Sequence, residues 1–83
     1  MNRIQYRKVK LVVGDNEIKV YNKENMELIH ILRHMTNETM QEHIYCITEL
    51  LASIGVKFTL DDNYFYEKYG LRLVPAIRIN ESN

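Results

Sequence analysis

Two periodicities meet in this chain, and their order constrains the fold more than any other feature. Up to Tyr21 apolar residues recur at every second position; from Met40 to Ile54 they recur at every third or fourth. In the first region Val9, Leu11 and Val13 alternate with Lys8 and Lys10, and Ile18 and Val20 alternate with Glu17, Lys19 and Tyr21. That is the pattern of two half-buried strands. Between them Gly14-Asp15-Asn16 supplies residues that tolerate positive φ, so a β-hairpin is expected over 4–21.

The second periodicity marks a helix. Thr36 or Asn37 can cap it, Met40, Ile44, Ile47, Leu50, Leu51 and Ile54 form its apolar face, and Gly55 ends it. Glu38, Gln41, Glu42 and Glu49 fall on the opposite, exposed face. The run from Met26 to Met35 fits either a helix, with Leu28, Ile31, Leu32 and Met35 on one side, or a short buried strand. Beyond the long helix, Val56 to Leu60 alternates as a strand, and Asp61-Asp62-Asn63 suits a helix start. Tyr64 to Tyr69 then forms a short helix closed by Gly70, and Leu71 to Asn80 reads as a last strand. The expected order is β-β-(α or β)-α-β-α-β, an α/β fold.

With 83 residues and no repeat or linker, the chain is expected to be a single domain, 1–83. A chain of this size buries roughly 60–65% of its surface on folding, enough for one core. No apolar run approaches the roughly 18–20 residues that span a bilayer, so no membrane partner is expected. The start of the chain, Met1 to Lys8, has no apolar stretch behind its charges and does not read as a secretory signal. A single cysteine, Cys46, excludes an internal disulfide, and a reducing cytoplasm is the expected compartment. Net charge is zero but uneven: Arg3, Arg7, Lys8 and Lys10 make the first ten residues +4, leaving −4 on the rest.

The segment from Val56 to Ile79 resembles the second half of a thioredoxin-like domain. The likeness lies in a strand ending at Asp61, the helix end Lys68-Tyr69-Gly70-Leu71, and Val74-Pro75-Ala76 opening the next strand. It implies a cis peptide bond before Pro75 and a thioredoxin-like β-α-β-α-β unit over 26–80. Leu28 to Arg33, the helix from Thr39, and Asp61, Phe65, Tyr69 and Val74-Pro75-Ala76 are also similar to the TrbC pilin-assembly family of F-type conjugative secretion. That narrower likeness implies a strand at 27–33 and a component encoded by a mobile element.

The residues argue against catalysis. Cys46 sits within the helical pattern with no second cysteine, so dithiol exchange is ruled out and a core position is expected. His30 and His34 have metal-ligand spacing on a helix, with Glu27 and Glu38 nearby. His43 is the only other histidine, and no set of three or four ligands is completed. Ser53 and Ser82 have no triad partners, and Gly14, Gly55 and Gly70 are isolated, so no phosphate loop exists. No cofactor is expected.

Tyr64, Phe65, Tyr66 and Tyr69 form the densest aromatic group. Phe65 and Tyr69 share an inward face; Tyr64 and Tyr66 point outward, where tyrosine serves recognition. The expectation is a non-enzymatic protein-interaction, assembly or regulatory module. It would make contact through Tyr64, Tyr66, Glu38 and Glu42 or through a free strand edge that also permits a homodimer. The alternative is a nucleic-acid-binding regulator using Arg3, Arg7, Lys8 and Lys10.

Overall fold

A computed structural model describes residues 7–77. Its elements are β1 (Lys8–Gly14), β2 (Glu17–Asn22), β3 (Glu27–Arg33), α1 (Asn37–Ser53), β4 (Lys57–Asp61) and α2 (Asn63–Tyr69). The strands form one mixed sheet in the order β3-β2-β1-β4. β1 and β2 make the expected hairpin, with Leu11 against Val20 and Val13 against Ile18, and β4 joins β1 in parallel. Residues 4–6 of the expected hairpin lie outside the described residues.

The ambiguous run 26–35 resolves as a strand. Asn22 accepts from the Glu24 amide and Asn25 from the Glu27 amide, and Met26 takes a φ of 60°, so the chain reverses after β2. β3 then completes a backbone ladder with β2 at once, which a helix of this length could not match. The β2–β3 register shifts between Val20 and Tyr21; Ile29 is the extra residue, and it packs against the core.

Thr36 caps α1 reciprocally with Thr39: its hydroxyl accepts the Thr39 amide at 3.2 Å, and the Thr39 hydroxyl accepts the Thr36 amide at 3.1 Å. At the other end Gly55, at φ 81°, donates to Ala52, and Val56 donates to Leu51, which closes the helix in a Schellman motif. Met40, Ile44 and Thr48 are buried, whereas Leu50 and Ile54 are 60% and 62% exposed. They lie on the flank of the buried stripe, where the second layer does not reach, and so depart from the expected apolar face.

Both helices pack on one side of the sheet. Val9, Leu11, Val13, Ile18 and Phe58 from the strands meet Met40, Ile44, Phe65 and Leu73 in one core. The fold is therefore a two-layer α/β sandwich whose sheet has one covered and one open face.

The last expected element is absent from the described residues. Residues 71–77 are irregular, and 78–80 of the proposed strand lie outside the described residues. The peptide bond before Pro75 is trans, contrary to the cis bond that the thioredoxin-like likeness implies. Amides that a strand would have offered to a ladder are taken by side chains. Leu73 donates to Asp62 Oδ2 at 2.9 Å, Val74 to Gln41 Oε1 at 3.1 Å, and Ala76 to Thr48 Oγ1 at 3.0 Å. The segment is a strap lashed to α1 and to the start of α2.

Candidate nucleic-acid interface

Strand alternation decides what the open face carries. Residues opposite in register share a face, so the core positions Val9, Leu11 and Val13 leave Lys8, Lys10 and Val12 pointing away from the helices. Their neighbours on the same side are Glu17, Lys19 and Tyr21 on β2, Lys57, Thr59 and Asp61 on β4, and Ile31 and Arg33 on β3. Five cations thus share this face with two carboxylates, and Glu17 is already 3.5 Å from Lys19.

The cations are concentrated at one end. Lys8 and Lys57 are direct neighbours in the parallel register, and the next pair but one along that ladder is Lys10 beside Thr59. Lys10 has Tyr21 on its other side. Like charges abreast in a sheet destabilise it, so the Lys8–Lys57 pair is a local cost that an anion laid across it would relieve. Over β1 and β4 lies a shallow hollow of about 350 Å³ lined by Lys10, Lys23, Thr59, Leu60, Asp61, Asp62, Asn63 and Arg72. The Thr59 hydroxyl is buried there without a hydrogen-bond partner.

The two carboxylates that the sequence assigns to a helix start have separate jobs. Asp61 accepts the Asn63 amide at 3.2 Å. Asp62 stands at the cap position but makes no side-chain cap; it is buried and takes Arg72 Nη1 at 2.7 Å and the Leu73 amide. It therefore joins the strap to α2.

The candidates read from sequence fall on both layers. Lys8 and Lys10 lie at the basic end of the open face, Arg7 is exposed just before β1, and Arg3 lies outside the described residues. Glu38 and Glu42 are exposed on α1, which carries no lysine or arginine, so the helical layer opposes the sheet in sign. Tyr64 and Tyr66 are 47% and 43% exposed, as expected, but both rings are engaged by cations of their own chain. Arg72 lies 4.0 Å from the Tyr66 ring centre, and Lys68 lies 5.8 Å from that of Tyr64. Lys68 also donates to Asp15 at 2.6 Å, and this hydrogen bond raises its pKa above the ordinary lysine value, with desolvation acting in the opposite direction. Pro75 is part of the strap, not of a sheet.

Cys46 is exposed on α1 rather than in the core; the helix rotates it to the solvent side, and Thr48 takes the buried place. With 27–33 in a strand, His30 and His34 lose their helical spacing, and among the described residues no group of three or more His, Cys, Asp or Glu is placed to hold a metal ion. Sequence reading missed Lys19, Tyr21, Lys57 and Thr59 as site residues. The alternation phase points to Lys19 and Tyr21, but only the β1–β4 pairing brings Lys57 to Lys8. No family model, curated protein or solved structure matches this chain.

Proposed function

We propose that the chain is a non-enzymatic binding module whose open sheet face takes up a single-stranded nucleic acid. The observation that carries the reading is the Lys8–Lys57 pair abreast in the sheet, with Lys10 and Tyr21 adjoining it. The lysines match a phosphodiester backbone and the tyrosine ring offers a base a surface on which to stack. A flat sheet face suits an unpaired strand, whose bases can splay, better than a duplex groove.

The footprint is small, about three phosphates, because Lys19 already has Glu17. Binding to single strands falls with salt at a log–log slope of about −0.7 per phosphate, so a slope near −2 is expected, or about a 20-fold loss between 50 and 200 mM salt. Fluorescence anisotropy with labelled oligo-dT and oligo-U measures this directly. Affinity that is absent at low salt, or unmoved by salt, overturns the reading.

A protein partner is the second reading, favoured by the exposed apolar residues Tyr45, Leu50, Ile54 and Leu71 on the helical layer, on the same layer as Glu38 and Glu42. The two readings use opposite faces. Leu50→Ser with Ile54→Ser leaves oligonucleotide binding intact if the sheet face is the site, and abolishes capture of a protein partner if the helical layer is.

A further inference from the structure

Beside its lysines the open face carries a corner of apolar side chains. Because Ile29 is the extra residue of the bulge, Leu28 stands opposite Tyr21 and Ile31 opposite Lys19. Both aliphatic side chains therefore fall on the open face with the Tyr21 ring. Leu28 is 46% exposed, and Tyr21 and Ile31 are half-buried. Tyr21 adjoins Lys10 across one strand spacing, about 4.8 Å, and Leu28 lies one spacing further, on β3. The other side of Lys10 differs: there β4 presents Thr59 and, two residues on, Asp61.

We propose that the Tyr21–Leu28–Ile31 corner seats the bases of a single-stranded DNA and selects thymine. This selectivity rests on the nucleic-acid reading of the sheet face and adds the side to which the bases turn.

Charge decides that side. A phosphodiester backbone held at Lys8, Lys57 and Lys10 can send its bases towards β4 or towards β2 and β3. On β4 the Asp61 carboxylate repels the next phosphate and offers an acceptor where the flat face of a base needs apolar surface. Tyr21, Leu28 and Ile31 carry no charge, so the first base stacks on the tyrosine ring and the next lie on the two aliphatic side chains. Leucine and isoleucine have no hydrogen-bonding group with which to read a base edge. What they recognise is the C5-methyl group of thymine. Covering one methyl raises affinity about fourfold, and covering two raises it more than tenfold.

Fluorescence anisotropy with oligo-dT, oligo-dU and oligo-dC of equal length tests this, since the bases of the first two differ only by that methyl. Oligo-dT should bind about tenfold more tightly than oligo-dU, with oligo-dC no better than oligo-dU. Leu28→Thr and Ile31→Thr keep strand-forming residues but replace aliphatic surface with a hydroxyl. Each should lower the dT-to-dU ratio about fourfold and leave the salt slope unchanged. Lys10→Ala should instead weaken both oligonucleotides equally and reduce the slope by about 0.7. Circular dichroism confirms that each variant is folded, and the ratio for the unmodified chain needs no variant. Equal, salt-dependent affinity for dT and dU overturns the thymine selectivity and leaves the nucleic-acid reading standing. A preference for dC also overturns it, because the Asp61 carboxylate would then be accepting from the cytosine amino group. Absence of binding to all three oligonucleotides overturns both.

Discussion

Lys57→Glu should make the protein more stable and a poorer binder at once. Lys57 and Lys8 stand abreast on adjacent parallel strands, and both side chains reach into solvent. With strands about 4.8 Å apart and flexible side chains spreading, the two charges sit about 7 Å from each other. At that distance in water their repulsion is about 0.6 kcal/mol. Glutamate turns repulsion into attraction of similar size, a swing of about 1 kcal/mol, and its strand propensity is close to that of lysine. For a domain of this size that raises Tm by about 4–8 °C. The same change removes a phosphate contact and adds a repulsive charge, so oligonucleotide affinity falls about tenfold and the salt slope shrinks by about 0.7. Thermal melts and anisotropy titrations on Lys57→Glu and on neutral Lys57→Gln, expected to be intermediate in both, check the pair of effects. A lower Tm in Lys57→Glu, or a higher one with unchanged affinity, would refute the reasoning that this pair is held together for an anion.

Three further changes test the packing. Asp62→Ala removes the acceptor of the buried Leu73 amide, Asp62 Oδ2, and urea titration should show a loss of about 2–3 kcal/mol. Thr48→Val keeps the shape of a fully buried side chain but removes the acceptor for the Ala76 amide. It should lower stability by about 1 kcal/mol and hasten proteolytic cleavage within 71–77. Cys46→Ser should leave stability within about 0.5 kcal/mol, and the native thiol should react promptly with an alkylating agent. A loss above about 1 kcal/mol would return that side chain to the core.

What could be read from sequence was set by local chemistry. The β1–β2 hairpin, α1 with its Thr36 cap and Gly55 terminus, β4, and α2 ending at Gly70 all follow from short-range patterns and appear as expected. The α/β class follows with them. Non-local choices were not legible. The run at 26–35 satisfied two periodicities, and only the ladder with β2 decides between them. The strap at 71–77 has the apolar content of a strand, but Gln41, Thr48 and Asp62, distant in sequence, take its amides, and the bond before Pro75 is trans. Cys46 and Leu50 were misplaced because an apolar stripe fixes a helix but not how wide a layer it meets. The basic arm was visible at Arg7, Lys8 and Lys10, whereas its neighbour Lys57 is some fifty positions away and joins it only through a parallel pairing.

The one-sided sheet has a consequence for how such a protein can change over time. In β1, adjacent residues answer to separate demands: Val9, Leu11 and Val13 fill the interior, while Lys8, Lys10 and Val12 meet whatever arrives from outside. Substitutions in the outward set leave the interior untouched, so ligand preference can drift through alternate codons while the fold stays put.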